Sequence, residues 1–159
     1  MTITRDQMKD DWERRASIDP VRAIQKSCGD LDGYYETATK WFDEIVAPFL
    51  DGTENADDAA TALDMGCGAG RYLPELASRF STVIGTDISP TMAVASRDHV
   101  GENPAITVHE TDGTTLNPLE PGSINFAMSM AVFIHMPTED IVRANLKELA
   151  RILVPGGKY

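Results

Sequence analysis

The stretch Leu63-Asp64-Met65-Gly66-Cys67-Gly68-Ala69-Gly70-Arg71 carries one carboxylate followed by three glycines at alternate positions. Glycine at every second place lets the backbone turn sharply and brings peptide N–H groups close to a ligand that any Cβ would hold off. The chemistry on offer is a binding turn made of backbone, with Asp64 beside it. Three more groups recur further along: Asp87 after a β-branched run, Asp112-Gly113 after an alternating run, and His135 after the longest apolar run. A carboxylate accepts from hydroxyls and amines and attracts cations, and an imidazole can take a proton near neutral pH.

Each of these groups needs a strand ending just before it and a helix starting just after. Thr61-Ala62-Leu63 reads as a short buried strand, and residues 72–80 have helical spacing, with Pro74 tolerated in the first turn. Thr82-Val83-Ile84-Gly85 reads as a second strand closing at Asp87, after which Ser89 caps and Pro90 opens a helix over 91–97. An acid at that strand end can accept from both hydroxyls of a ribose. Residues 105–108 alternate as a third strand should, and 123–130 read as a fourth strand buried on both faces. Thr138 then caps a helix in which Ile141, Val142, Leu146, Leu149, Ala150 and Leu153 recur at helical spacing, ending at Val154-Pro155-Gly156-Gly157. Alternating strands and helices predict an α/β fold on a mostly parallel, doubly wound, Rossmann-like sheet.

Before the first strand the spacing predicts helices over 7–17, 20–26 and 34–50, a loop over 28–33 and a polar connection over 51–60. Residues 1–55 are therefore expected to form a helical cap, and 56–159 the sheet domain. The apolar fraction of 42% in 159 residues suffices for a sizeable core. Fourteen basic against 25 acidic residues give a formal charge of −11, without a Lys/Arg cluster, so a nucleic-acid partner is not expected. No apolar run suits a membrane span, and the charged N-terminus does not suit a secretion signal, so a cytoplasmic setting is expected. Cys28 and Cys67 form no C-x-x-C pair, and the scattered histidines give no metal-site spacing.

The dinucleotide fingerprint requires a sixth-position glycine where Arg71 stands, which argues against a nicotinamide oxidoreductase. With Asp64 ahead of the glycines, and Asp87 and Asp112 after the second and third strands, the chain from Ala60 onward resembles the class I S-adenosylmethionine-dependent methyltransferases. That resemblance implies S-adenosyl-L-methionine as cofactor. It implies a loop of Gly66, Cys67, Gly68 and Gly70 around the methionine part, Asp64 reaching the ammonium group and Asp87 on the ribose. Ile88 and Met92 would lie on the adenine face, Asp112 on its exocyclic amine with the Gly113 N–H on a ring nitrogen, and Met130 would complete the site. Methyl transfer by in-line displacement works mainly by positioning, and His135 is the candidate base where the acceptor must lose a proton. Ser129-Met130-Ala131-Val132 stands where nucleobase amino-methyltransferases carry their Asn/Asp-Pro-Pro-aromatic signature, which favours a small-molecule acceptor. A binding protein that kept the site without chemistry would show the same loop.

The family's sheet has the strand order 3-2-1-4-5-7-6, and the sequence offers strands for 3-2-1-4 only. Strand four is then expected to be an apolar edge, covered by a second copy or a partner, in a chain that reads as a truncated enzyme. Trp12, Tyr34 or Tyr35 is expected to close over the methionine end of the cofactor.

Overall fold

The computed structural model describes residues 3–24, 31–50 and 59–159. Cys28, most of the predicted 51–60 connection and the end of the predicted 20–26 helix lie outside them. The chain opens with α1 (Arg5–Ile18), started by a capping box in which Thr4 and Gln7 exchange hydrogen bonds, and continues into α2 (Pro20–Ile24). The single helix expected over 34–50 is instead a broken sequence. α3 (Leu31–Glu36) and α4 (Ala38–Trp41) lead into a π-helical turn (Phe42–Val46) and a 3-10 turn (Ala47–Phe49). Pro48 has no N–H to continue an α-helical ladder, and the wider turn before it keeps Phe42 and Val46 in the core.

The sheet follows as expected for its first part. β1 (Thr61–Met65), α5 (Leu73–Ala77), β2 (Thr82–Asp87), α6 (Pro90–Val100), β3 (Ile106–Glu110) and β4 (Ile124–Met128) alternate, and α7 (Glu139–Ile152) returns after β4. All pairings are parallel, with Leu63 opposite Ile84 and Ala127, and Gly85 opposite Val108. One face packs Phe42, Tyr72, Leu73, Leu76, Phe80, Val83 and Phe126, and the other packs Leu63, Met65, Leu116, Ile124, Leu149 and Ile152. Asn125 ties the start of the sheet together, its Oδ1 accepting from Thr61 N at 2.9 Å.

The expectation that strand four is an edge is corrected. A fifth strand, β5 (Leu153–Lys158), pairs parallel with β4 and gives the order β3-β2-β1-β4-β5. Leu153-Val154-Pro155-Gly156-Gly157 reads as a helix stop, and so it is; the same glycines also let the chain fold back along β4. Ile124 faces Leu153 while Phe126 faces Lys158, so β5 bulges between them. Gly156 takes φ +84°, and a Cβ on Gly157 would sit 3.0–3.2 Å from the carbonyl oxygens of Val154, Ile124 and Asn125. The apolar edge invoked for a second copy is thus occupied by the chain itself.

Candidate cofactor site

The C-terminal ends of β1 to β4 open into one cavity of about 400 Å3, within the range of small-molecule sites. The glycine turn forms its floor. Gly66 and Cys67 N–H both donate to Thr86 O, at 2.7 and 2.9 Å, which pins the loop after β1 to the end of β2. Gly66 and Gly68 hold φ of +75° and +55°, and a Cβ there would meet Val132 Cγ2 at 2.5 Å and Ile24 Cδ1 at 2.7 Å. Conformation demands glycine at both positions, and at Gly66 the close approach of Val132 adds a demand of space. Gly70 is set back from the cavity, tight against Ser96.

Two carboxylates line the same space, Asp64 buried and Asp87 half-buried. Asp87 is held by peptide groups, accepting from Gly68 N at Oδ2 and from Ser89 N at Oδ1, both 2.9 Å. Asp64 is 2% exposed, and no donor among the described residues reaches its carboxylate. Burial pushes Asp64 up to about 7, with the charge of Asp87 adding to it, and burial pushes Asp87 up to about 6 against its hydrogen bonds. Such a pair favours a cationic guest, because an opposite charge relieves both penalties. Burial pushes the Cys67 thiol up as well, which favours its uncharged form.

Ile88, Met92, Gly113, Met130 and His135 line the cavity together with Asp64, Gly66, Cys67, Gly68 and Asp87. Asp112 does not. Its Oδ1 accepts from the N–H groups of Thr114 and Thr115 at 2.8 and 2.7 Å, which closes the turn after β3, and Oδ2 faces Arg5 at 3.5 Å. From that segment Thr111 and Gly113 reach the lining instead.

The roof comes from the N-terminal helices. Met8 and Trp12 of α1, Ile24 of α2, Tyr34 of α3 and Trp41 of α4 all line the cavity. Trp12 meets the His135 ring edge-on, with centroids 5.1 Å apart. Tyr35, expected as a possible lid, stands outside the lining. Its hydroxyl donates to Ala69 O at 2.9 Å and its ring stacks on His99, bracing the glycine loop from behind. Glu13 fastens α1 to the start of α6. Its carboxylate accepts from the Ser89 hydroxyl, from Thr91 Oγ1 at 2.6 Å and from Thr91 N at 3.1 Å. Those hydrogen bonds, that from Ser89 foremost, hold its carboxyl below the usual range. Lys9 pairs with Glu110 at the end of β3. Glu13, Ile24, Ala131 and Asn145 were not anticipated from sequence. Ala131 alone among non-glycine residues described takes a positive φ, +58°, in the loop after β4.

Comparison with known proteins agrees with this geometry. The family model described as a methyltransferase domain matches residues 63–159, and the chain belongs to that family. It is 40% identical over 124 residues to an uncharacterised 37.1 kDa transposon protein of Streptomyces fradiae, covering 76% of this chain and 34% of that protein. It is 35% identical over 112 residues to a tRNA (carboxymethyluridine(34)-5-O)-methyltransferase of Arabidopsis thaliana, covering 70% of this chain and 25% of that one. A solved phosphoethanolamine N-methyltransferase of Haemonchus contortus, complexed with phosphoethanolamine and S-adenosylhomocysteine, superposes with a TM-score of 0.75. It is 17% identical and covers 96% of this chain and 30% of its own, which shows the shared fold. The chain therefore spans about a third or less of the length of these relatives.

S-adenosyl-L-methionine is the cofactor of this family, and the residues present fit it. Among the described residues no partner meets the charge of Asp64, Asp87 keeps acceptor capacity on a carboxylate held by peptide groups, and the glycine turn admits close approach. Among the described residues no cluster suits a metal ion, and no helix is long and apolar enough to cross a membrane.

Proposed function

We propose that this chain binds S-adenosyl-L-methionine beneath α1 and serves a methyl transfer to a small-molecule acceptor, in a cytoplasmic setting and without a nucleic-acid partner. The observation that carries the reading is the cavity lined in common by the Asp64–Asp87 pair and by Trp12 and His135, whose rings meet. The cofactor supplies a methyl group activated on a sulfonium. Asp64 attracts the ammonium, Asp87 takes the ribose hydroxyls, and the floor glycines leave room for the chain between them. The apolar wall that includes Met8, Trp12 and Met136 would favour loss of the sulfonium charge on methyl transfer to the acceptor. His135 is the group at that wall able to take a proton from an acceptor O–H or N–H. The formal charge of −11 opposes a polyanionic acceptor.

Calorimetry with S-adenosylhomocysteine, and separately with nicotinamide dinucleotides, tests the reading. Binding of the first alone is expected. Binding only of a dinucleotide, or of neither ligand, would overturn it. If the site turns over, His135→Asn should lower the rate at saturating cofactor and leave cofactor affinity unchanged.

A further inference from the structure

A second hollow, of about 510 Å3, runs along α1 on the side of the loop after β4. Gln7, Asp11, Trp12 and Arg15 share one face of the helix and supply one wall, and His135 and Pro137 supply the other. This hollow and the cofactor cavity have Met8, Trp12 and His135 in common. The Trp12 and His135 rings, edge-on with centroids 5.1 Å apart, therefore stand where the two spaces meet. A group held in the second hollow has the imidazole beside it and the cofactor cavity next to it.

The lining selects what that group is attached to. Gln7 Oε1 is already used, accepting from Thr4 N at 2.9 Å in the helix cap. The charged residues of the lining are Asp11 and Arg15, and Asp11 is met by Arg14 from outside it as well, so two guanidiniums stand against one carboxylate. In a chain of formal charge −11 that is a local excess of one cation. Arg15 Nη2 reaches Asp11 Oδ2 at 2.7 Å, and the guanidinium lies 5.4 Å from the centre of the Trp12 ring. One ion pair and one ring contact hold the fork in place and leave further N–H donors on it, the arrangement that recognises a planar carboxylate. A single negative charge is matched there, whereas a polyanion is opposed by Asp11 and by the rest of the chain. Ile3, Met8 and Pro137 complete the hollow with Trp12, and such walls suit an apolar body.

We propose that the second hollow takes the methyl acceptor and that the acceptor is a hydroxy acid, with its apolar body against Trp12, its carboxylate on Arg15 and its O–H at His135. The proposal rests on S-adenosyl-L-methionine as the ligand of the first cavity. His135 receives the hydroxyl proton as the oxygen bonds to the methyl carbon and the C–S bond breaks, its electron pair staying on sulfur; the product is an ether and the carboxylate is left unmethylated. Calorimetry on the full chain saturated with S-adenosylhomocysteine tests this by comparing 4-hydroxybenzoate with 4-hydroxybenzamide, which has the same shape without the charge. The acid should bind about tenfold more tightly or better. Arg15→Gln, at an exposed position where folding is not at stake, should bring that ratio close to one. Arg14→Gln removes the same charge and the other partner of Asp11 from outside the hollow, and should leave the preference standing. A preference that survives Arg15→Gln, one that falls as far with Arg14→Gln, or binding of neither compound would overturn the proposal. The acid should also move the indole N–H resonance of Trp12, and a shift confined to Trp41 would overturn it by placing the ligand elsewhere. Failure of the chain to bind S-adenosylhomocysteine would appear in the first titration and would fell the cofactor reading together with this one.

Discussion

The cavity floor is built from peptide groups, glycines and carboxylates, whereas the helix above it is docked through side chains, several of them in exposed ion pairs. On the floor, Gly66 and Cys67 are tied to Thr86, and Gly68 to Asp87, by bonds that leave little freedom. Above it, α1 is docked through Glu13 on Ser89 and Thr91 and through exposed pairs such as Lys9–Glu110 and Arg5–Asp112. Exposed ion pairs contribute about 0–1 kcal/mol each. On the proposed reading the floor is the fixed part of the site, and α1 is the part that would open. The floor also stores unfavourable energy in its acids, which the roof does not.

The strongest way to break this contrast is to put a side chain into the floor. Gly68→Val should abolish binding of S-adenosylhomocysteine in calorimetry, because the residue holds φ +55° and its Cβ direction points at Ile24. Unchanged affinity would show the loop to be a turn and no more. Next in size, Asp87→Ala should weaken the same binding by about 1.5–3 kcal/mol through loss of charge-assisted hydrogen bonds.

Asp64→Asn sharpens the contrast through stability. An ordinary aspartate titrates near 3.8, and burial moves Asp64 to about 7. The folded chain thus holds this proton more tightly than the unfolded one, so the stability it contributes is full below about pH 4 and is lost as pH rises through about 7. Thermal or urea unfolding should find Asp64→Asn more stable than the parent at pH 8, by on the order of 2 kcal/mol, with the gap closing toward pH 4. A gap independent of pH would refute the buried charge.

The smallest effect belongs to the roof. Glu13→Gln keeps size but loses an acceptor and the charge, and should raise the open population of α1 by roughly tenfold, read as faster proteolysis within α1. In the parent, added S-adenosylhomocysteine should slow that cleavage. Equal cleavage of parent and variant, with and without ligand, would remove α1 as a lid.

The same contrast decides what the sequence disclosed. Gly66, Gly68, Asp64 and Asp87 were legible because local backbone demands put glycines and acids at strand ends, in a pattern that survives in one dimension. Glu13 and Asn145 were not, since Glu13 meets Ser89, and Asn145 meets Gly113, across a long stretch of chain with no local pattern to mark them. Asp112 was legible as an acid after a strand, but not as one closing its own turn on Thr114 and Thr115. The broken helix over 31–50 had one signal, Pro48, and the fifth strand had none, because Pro-Gly-Gly speaks against strand and the pairing is imposed by β4.

Ser89 joins the two regions. Its peptide N–H donates to Asp87 and its hydroxyl donates to Glu13, one residue from Trp12, so a single residue touches the Asp87 carboxylate and the fastening of α1. Two equilibria that share such a residue obey reciprocal linkage. Whatever factor a docked α1 adds to ligand affinity at Asp87, the ligand must return in the docking of α1. Substituting Ser89 by alanine would cut the hydroxyl link and leave the peptide link in place, and the coupling between the two equilibria would then fall even where each alone persists.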